Sequence, residues 1–148
     1  MKKDFVLYPE ALALKGLGFD EPCLVYYLEN SIELELGEGY NLVTREYQRN
    51  VMTYSLHNSN FEYGTNKPDW SYKLVTSPTY SQAFRWFREK HGFHGSINQS
   101  HGVVGMYNWD IIDKHLNCIG QYPFYSFEEA ETACLKKLIE LVKSKSDE

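Results

Sequence analysis

Three histidines lie close together in the second half of the sequence, and imidazole nitrogens are common metal ligands. They are His91, His94 and His101, and Asp110 follows as a carboxylate that could complete a site. Their spacing is not that of a helical zinc motif, in which two histidines stand one turn apart. His91 also suits the negative end of a helix dipole, which gives it a structural explanation. The sequence therefore predicts no metal site and no cofactor.

A second group contains the residue types of a cysteine hydrolase, namely Asp110, Asp113, His115 and Cys118. In such an enzyme a base takes the proton of the thiol, so the two side chains must meet in space. No helix N-terminus, which would lower the pKa of a thiol, is predicted at Cys118. A small hydrolase or transferase that uses the region His91–Cys118 stays an alternative. It requires four side chains to converge in one cleft: His94, His101, Asp110 and His115.

Two aromatic residues, Tyr107 and Trp109, stand two positions apart in a predicted strand and so share one face of it. Such a pair can stack on the bases of single-stranded nucleic acid. The alternative is that the pair belongs to a packed core. The net charge of −5 disfavours a phosphate-backbone binder and an anionic membrane surface. No apolar stretch has the length of a membrane span.

Trp86 is the residue that most favours an interaction surface. At 100° per residue it lies well away from the centre of the apolar face of its predicted helix, and Gln82 and Lys90 share its stripe. An aromatic residue at the rim of such a face is typical of protein interfaces. The alternative is that a broad sheet buries Trp86.

The composition is that of a globular protein of one domain, Met1–Glu148, with a frayed tail over residues 144–148. Of its 148 residues 43% are hydrophobic, and twelve are tyrosines, which favour half-buried surfaces. The three cysteines are widely spaced, which indicates reduced thiols rather than a disulfide scaffold. The apolar run near the N-terminus is too short for a signal peptide, so we expect a cytoplasmic protein.

Three segments carry helix signals. The first is Pro9–Leu17, with proline at its start and Gly18 after its end. The second begins with Ser77 as the N-cap and Pro78 as the first helical residue, and Gly92 ends it. One apolar face of this helix has helical spacing: Tyr80, Ala83, Phe84, Phe87 and His91.

The third helix, Ser126–Lys143, has the clearest start signal. Ser126 and Glu129 form a capping box, and Tyr125 is placed to pack on Ala130. Cys134 lies in the apolar stripe of this helix and is predicted to be a small core residue.

Two hairpins are predicted between the helices. The first joins residues 23–28 and 32–36, and the second joins 93–97 and 103–109 through a turn at 98–102. Residues 42–56 carry mixed signals, and residues 57–69 are predicted to be a long exposed loop with one short strand. The fold class is therefore α+β, an antiparallel sheet of about four to six strands with three helices packed mainly on one face.

Two stretches resemble a family of short hypothetical proteins from anaerobic gut bacteria, their phages and mobile elements. The first is Pro78-Thr79-Tyr80-Ser81-Gln82-Ala83-Phe84-Arg85-Trp86-Phe87-Arg88-Glu89-Lys90, and the second runs from Tyr125 to Leu135. The segment from Leu17 to Cys23 is also similar. The resemblance implies an intracellular setting in a bacterium or phage. It carries no catalytic residue over.

Taken together, the residues favour a non-enzymatic binding or accessory protein that acts through a protein partner or as a homodimer. The abundant tyrosine and tryptophan and the absence of a P-loop, dinucleotide or nucleophile-elbow motif support this prediction. The binding residues it names are Trp86, Gln82, Lys90, Tyr107 and Trp109.

Overall fold

A computed structural model of the protein describes residues 2–28, 34–36, 38–41, 46–52, 62–63 and 72–146. The chain divides into two compact units, Met1–Pro78 and Thr79–Glu148. That the whole chain folds as one domain stays a prediction, because this division does not establish whether either unit folds alone.

The first unit combines one α-helix with antiparallel strands. A short 3₁₀ turn, Lys2–Asp4, precedes helix α1, Tyr8–Gly16. The strands are β1 Val25–Leu28, β2 Leu34–Leu36, β3 Glu38–Asn41, β4 Glu46–Met52, β5 Glu62–Tyr63 and β6 Tyr72–Ser77. They pair in the order β2-β1-β6-β5, with β3 and β4 as a separate pair.

Helix α1 ends as its glycine predicts. Gly18 has a φ of 87°, a left-handed conformation that a side chain would disfavour. The amide of Gly18 donates to the Lys15 carbonyl, and the amide of Phe19 donates to the Leu14 carbonyl. These two bonds are a Schellman motif, which satisfies carbonyls that the helix end leaves over.

The predicted first hairpin is confirmed by the antiparallel pairing of β1 and β2, in which Val25 lies opposite Leu36. Its turn, residues 29–31, lies outside the described residues. Of the middle region, β4 and β5 are described, and β5 is a short strand inside the predicted loop at 57–69.

The prediction that Ser77 caps a helix is wrong. Ser77 is the last residue of β6 and is buried, and its hydroxyl donates to the Val6 carbonyl over 2.7 Å. Thr79 is the cap instead, since its side chain accepts a hydrogen bond from the backbone amide of Gln82. The residue before a proline is disfavoured in the helical region, but it is readily extended, so Ser77-Pro78 continues a strand.

The second unit begins with helix α2, Tyr80–Trp86, which continues as a π-helical turn over Phe87–His91. Three strands follow: β7 His94–Gln99, β8 Tyr107–Ile112 and β9 Cys118–Phe124. They form an antiparallel sheet in the order β7-β8-β9. The predicted second hairpin exists, but its strands are shifted toward the C-terminus, and strand β9 was not predicted.

Helix α3, Phe127–Ser146, packs on β7 and β8 and extends beyond the predicted Lys143. The amide of Glu129 donates to Ser126 Oγ, as the capping box predicts, while the Glu129 carboxylate accepts from the amide of Tyr125. Tyr125 itself is exposed, so the predicted packing on Ala130 is wrong.

The core between α3 and the sheet confirms the role predicted for Cys134, which is fully buried. A Cβ atom placed on Gly95 of β7 would lie 3.0 Å from Cys134 Sγ and 3.2 Å from a methyl carbon of Leu138. Glycine at position 95 therefore lets the helix lie close to the sheet.

The predicted α+β class is confirmed, with three α-helices and antiparallel strands in the described part of the chain. The prediction of a single sheet of four to six strands is wrong, because the described strands form separate sheets of four, two and three strands. No helix within the described ranges has the length and apolar character that crossing a membrane requires.

Candidate functional site

The four side chains of the hydrolase alternative lie in different parts of the three-stranded sheet. Asp110 lies opposite Ser96, and His94 lies opposite Ile112, so His94 and Asp110 share one face. His101 follows β7, whereas His115 follows β8, which places them at opposite ends of antiparallel strands. A strand of this length spans about 17–20 Å, so the four do not meet in one cleft.

Cys118 also lies apart from His94. It opens β9 opposite Ile112, and His94 lies opposite Ile112 on the other side of β8. Two strand spacings, or about 10 Å, separate the backbones of these two residues, whereas proton transfer needs side-chain atoms within hydrogen-bond reach. In the described part of the chain, no three histidine, cysteine or acidic side chains lie close enough to hold a metal ion.

The aromatic pair Tyr107 and Trp109 does share a face, but helix α3 packs on that face. Trp109 is only 4% exposed. The Tyr107 ring packs edge-on against Phe127 at the start of α3, with ring centroids 6.0 Å apart. The alternative that the pair belongs to a packed core therefore holds for Trp109, whereas Tyr107 is half-buried.

Trp86 is buried as well, with 4% of its surface exposed, so the expectation of an aromatic anchor on an exposed rim is wrong. It packs edge-on against Phe87 and His91, at centroid distances of 5.0 and 4.7 Å. Gln82 is half-buried and Lys90 is exposed. Residues five apart approach each other where a helix has π geometry, which explains the contact of Trp86 with His91.

His91 is a packed imidazole rather than a ligand. Its ring also lies against Phe87, at a centroid distance of 5.9 Å. Burial, and then the charge of Lys145, hold the pKa of His91 below its ordinary value of 6.5. Within the described residues, Nε2 of His91 is buried without a hydrogen-bond partner. This environment favours the neutral form of the side chain.

The β8–β9 connection is a tight turn with one unusual residue. The amide of Asp113 donates to the Asn117 carbonyl, and the amide of Leu116 donates to the Asp113 carbonyl. Both hydrogen bonds are 3.0 Å long. This is a type I turn followed by a bulge residue in the left-handed region. Leu116 occupies that position, with a φ of 64°. Glycine or asparagine usually occupies it, because a larger side chain makes the conformation unfavourable.

Asp113 fixes the geometry of this turn. Its Oδ1 accepts hydrogen bonds from the amides of His115 and Asn117, and its Oδ2 accepts one from the Asn117 side chain. These bonds favour the charged carboxylate, and they lower the pKa of Asp113, with the side chain of Asn117 contributing most.

A second polar network joins strands β7 and β8. Asp110 Oδ2 accepts from the side chain of Asn98 over 2.8 Å and from that of Asn108 over 3.2 Å. A Cβ atom on Gly120 would overlap Asp110 Oδ1 and lie 2.9 Å from the Trp109 carbonyl oxygen. Gly120 is therefore required where β9 passes this carboxylate.

We name residues Tyr107–Phe124, comprising β8, its turn and β9, the outer hairpin. Large apolar side chains are exposed along it and just beyond it. Leu116 is 84% exposed, Tyr122 78% and Tyr125 72%, and Ile112 and Ile119 are each 40% exposed. Strand β9 contains no charged residue. This combination on an edge strand is typical of a surface that another chain covers.

The β7–β8 loop forms a shallow hollow of about 390 Å³. Gln99, Ser100, His101, Gly102, Val103 and Val104 line it. His101 is the one titratable group among them, so the hollow lacks an acid–base pair.

Little in the sequence predicts the outer hairpin. The chain does contain a turn signal, because Asp113 and Asn117 are residue types that favour turns. Leu116 gives no such signal, since nothing in its type indicates a left-handed backbone.

The chain matches no protein-family model, no curated protein and no solved structure. Its resemblance to short hypothetical proteins of gut bacteria and their phages therefore stays a prediction.

Proposed function

We propose that this chain is a non-enzymatic binding or accessory protein that binds another protein chain through the outer hairpin. The observation that carries the proposal is the exposure of apolar side chains along an uncharged edge strand and its turn, namely Leu116 in the turn and Ile119 and Tyr122 in β9. Exposed apolar edges promote association, and proteins that remain monomeric usually protect them with charged residues.

The hairpin is also suited to binding because it is rigid. The Asp113 hydrogen bonds fix its turn, and the bond from Asn98 to Asp110 ties β8 to the neighbouring strand β7. A preorganised surface loses less conformational entropy on binding, so more of the contact energy appears as affinity.

The two alternative functions have less support. The hydrolase or transferase alternative needs a nucleophile next to a base, whereas Cys118 and His94 lie on opposite sides of β8. Binding of single-stranded nucleic acid through Trp109 would require the helix to uncover a buried ring. The net charge of −5 adds a repulsion toward phosphates. A cytoplasmic setting in a bacterium or phage belongs to the same proposal and rests on the sequence resemblance.

The test is site-specific photo-crosslinking inside cells. A benzophenone amino acid is placed at Tyr122 in the full chain, and at Val104 as a control. Val104 is 96% exposed in the loop between β7 and β8, outside the outer hairpin. We expect one discrete protein adduct from position 122, identified by mass spectrometry, and none from position 104.

The adduct should also depend on the neighbouring apolar side chain. Leu116→Asn is added to the chain that carries the cross-linker at position 122. The yield of the protein adduct should fall, because the apolar contact of Leu116 with the partner is removed. Equal adducts from positions 122 and 104, or an adduct at 122 that is insensitive to Leu116→Asn, would contradict the proposal.

A further inference from the structure

We infer that the chain bound by the outer hairpin is a second copy of this protein, joined edge to edge through β9. The two three-stranded sheets then form one six-stranded antiparallel sheet. The inference rests on the proposed function, since it names the partner of the same surface.

The backbone of β9 has hydrogen-bonding groups on its outer edge. Asp113 and Asn117 are a hydrogen-bonded pair, and hydrogen-bonded and non-bonded pairs alternate along an antiparallel ladder. Ile119 and Gln121 therefore bond to β8, whereas Cys118 and Gly120 direct their N–H and C=O groups outward. In the described part of the chain, no strand pairs with this edge.

A second copy suits this edge for two reasons. Antiparallel strand pairing is compatible with a two-fold axis, the commonest symmetry of oligomers, and it places the same segment of both chains in contact. Because β9 carries no charged residue, its copy meets no like charge in the pairing. The opposite edge, β7, exposes no large apolar side chain.

Pro123 sets the register of the pairing. It lacks an N–H group, so the donors of β9 end before it. The pairing is then centred on Gly120, which places Cys118 opposite Tyr122 of the partner subunit. Leu116 precedes Cys118 by two residues, so it lies beyond Tyr122 of the partner subunit, where the register of β9 shifts.

Strand pairing alone covers less than the roughly 800 Å² per partner of a standard interface. We therefore expect a concentration-dependent equilibrium between monomer and dimer rather than an obligate dimer. Sedimentation of the full chain over a range of concentrations measures it. The variant Ile119→Lys should weaken the dimer by about tenfold or more. Position 119 lies diagonally across from position 119 of the second copy, about 7–8 Å away, so the two lysine charges repel each other.

Cross-linking through cysteine tests the register. Cys23 and Cys134 are buried, and burial raises the pKa of each thiol to about 12, so Cys118 is the thiol that reacts in the folded protein. In the proposed register, Cys118 lies about 5.5 Å from position 122 of the second copy. Two Cys118 residues lie about 14 Å apart, since four residues separate them along the strand.

A short bifunctional maleimide should therefore cross-link Tyr122→Cys to a covalent dimer several-fold faster than the wild type. Val104→Cys is the control, because it adds an exposed thiol in the β7–β8 loop, outside the outer hairpin. A dimer that forms without this enhancement uses another surface and overturns the inference.

Failure of the inference can be distinguished from failure of the proposed function. A chain that sediments as a monomer at every concentration, yet cross-links to a different protein from position 122, overturns the inference and leaves the proposed function standing. A monomer that gives no protein adduct from position 122 overturns both.

Discussion

Leu116 provides a direct test of the energetics of the outer hairpin. Its left-handed backbone costs a residue with a side chain about 1–2 kcal/mol. Full burial of a leucine contributes about 1.5–3 kcal/mol, so a side chain that is 84% exposed contributes only about 0.3–0.5 kcal/mol. Asparagine tolerates the left-handed region. Leu116→Asn should therefore raise the free energy of unfolding by about 0.5–1.5 kcal/mol.

The assay is urea unfolding followed by tryptophan fluorescence, which reports on the buried Trp86 and Trp109. The protein is kept dilute enough for the proposed dimer to dissociate, since association would stabilise the wild type. The midpoint should rise by about 0.3–1 M. The control Leu116→Ala keeps a Cβ atom in the strained conformation, so its urea midpoint should not rise. Equal midpoints for the two variants, or a lower midpoint for Leu116→Asn than for the wild type, would refute the reasoning.

Three further outcomes follow from the second unit. Because burial lowers the pKa of His91 below 6.5, the folded state takes up its proton less readily than the unfolded state. Stability should then fall as the pH drops below 6.5, and His91→Gln should flatten this dependence in urea melts. Gly120→Ala should lower the free energy of unfolding by about 1–3 kcal/mol, since the new Cβ overlaps Asp110; an unchanged midpoint would contradict this. Iodoacetamide should modify Cys118 in the folded protein, but Cys134 only at the rate of unfolding, because burial raises its pKa to about 12. Equal labelling rates by mass spectrometry would rule this out.

Sequence reasoning worked best where one local rule decides the structure. The capping box at Ser126 and the glycine after α1 were both predicted, and both make backbone hydrogen bonds in the structure. Cys134 was also predicted correctly, since its place in a wide apolar stripe leaves little choice. At the two helix ends the determining atoms lie close together along the chain.

Predictions that depend on an ideal helix failed at α2. A wheel drawn at 100° per residue places Trp86 away from the apolar face, but the helix has π geometry over Phe87–His91. The wider turn brings Trp86 and His91 together and is accompanied by burial of both Trp86 and Phe87. No residue type in this segment indicates a π turn. The sequence alone therefore does not show that Trp86 is buried.

Strand β9 was missed because its residues do not follow the pattern of a half-buried strand. Cys118–Phe124 contains Gly120 and Pro123, which usually interrupt strands, and most of its side chains are exposed. Both are explained by tertiary position. Gly120 makes room for Asp110, and a proline is tolerated because β9 lies at the edge of its sheet.

The structure of the outer hairpin does not depend on Leu116, which makes its presence informative. The carboxylate of Asp113 already fixes the turn through three hydrogen bonds. A glycine or asparagine at position 116 would satisfy the same backbone at lower cost. In the isolated chain the leucine therefore contributes little beyond strain of about 1–2 kcal/mol. Once another surface covers the exposed 84% of this side chain, burial contributes about 1.3–2.5 kcal/mol, which is similar to that strain. The energetics of this one residue thus favour an associated state over an exposed hairpin.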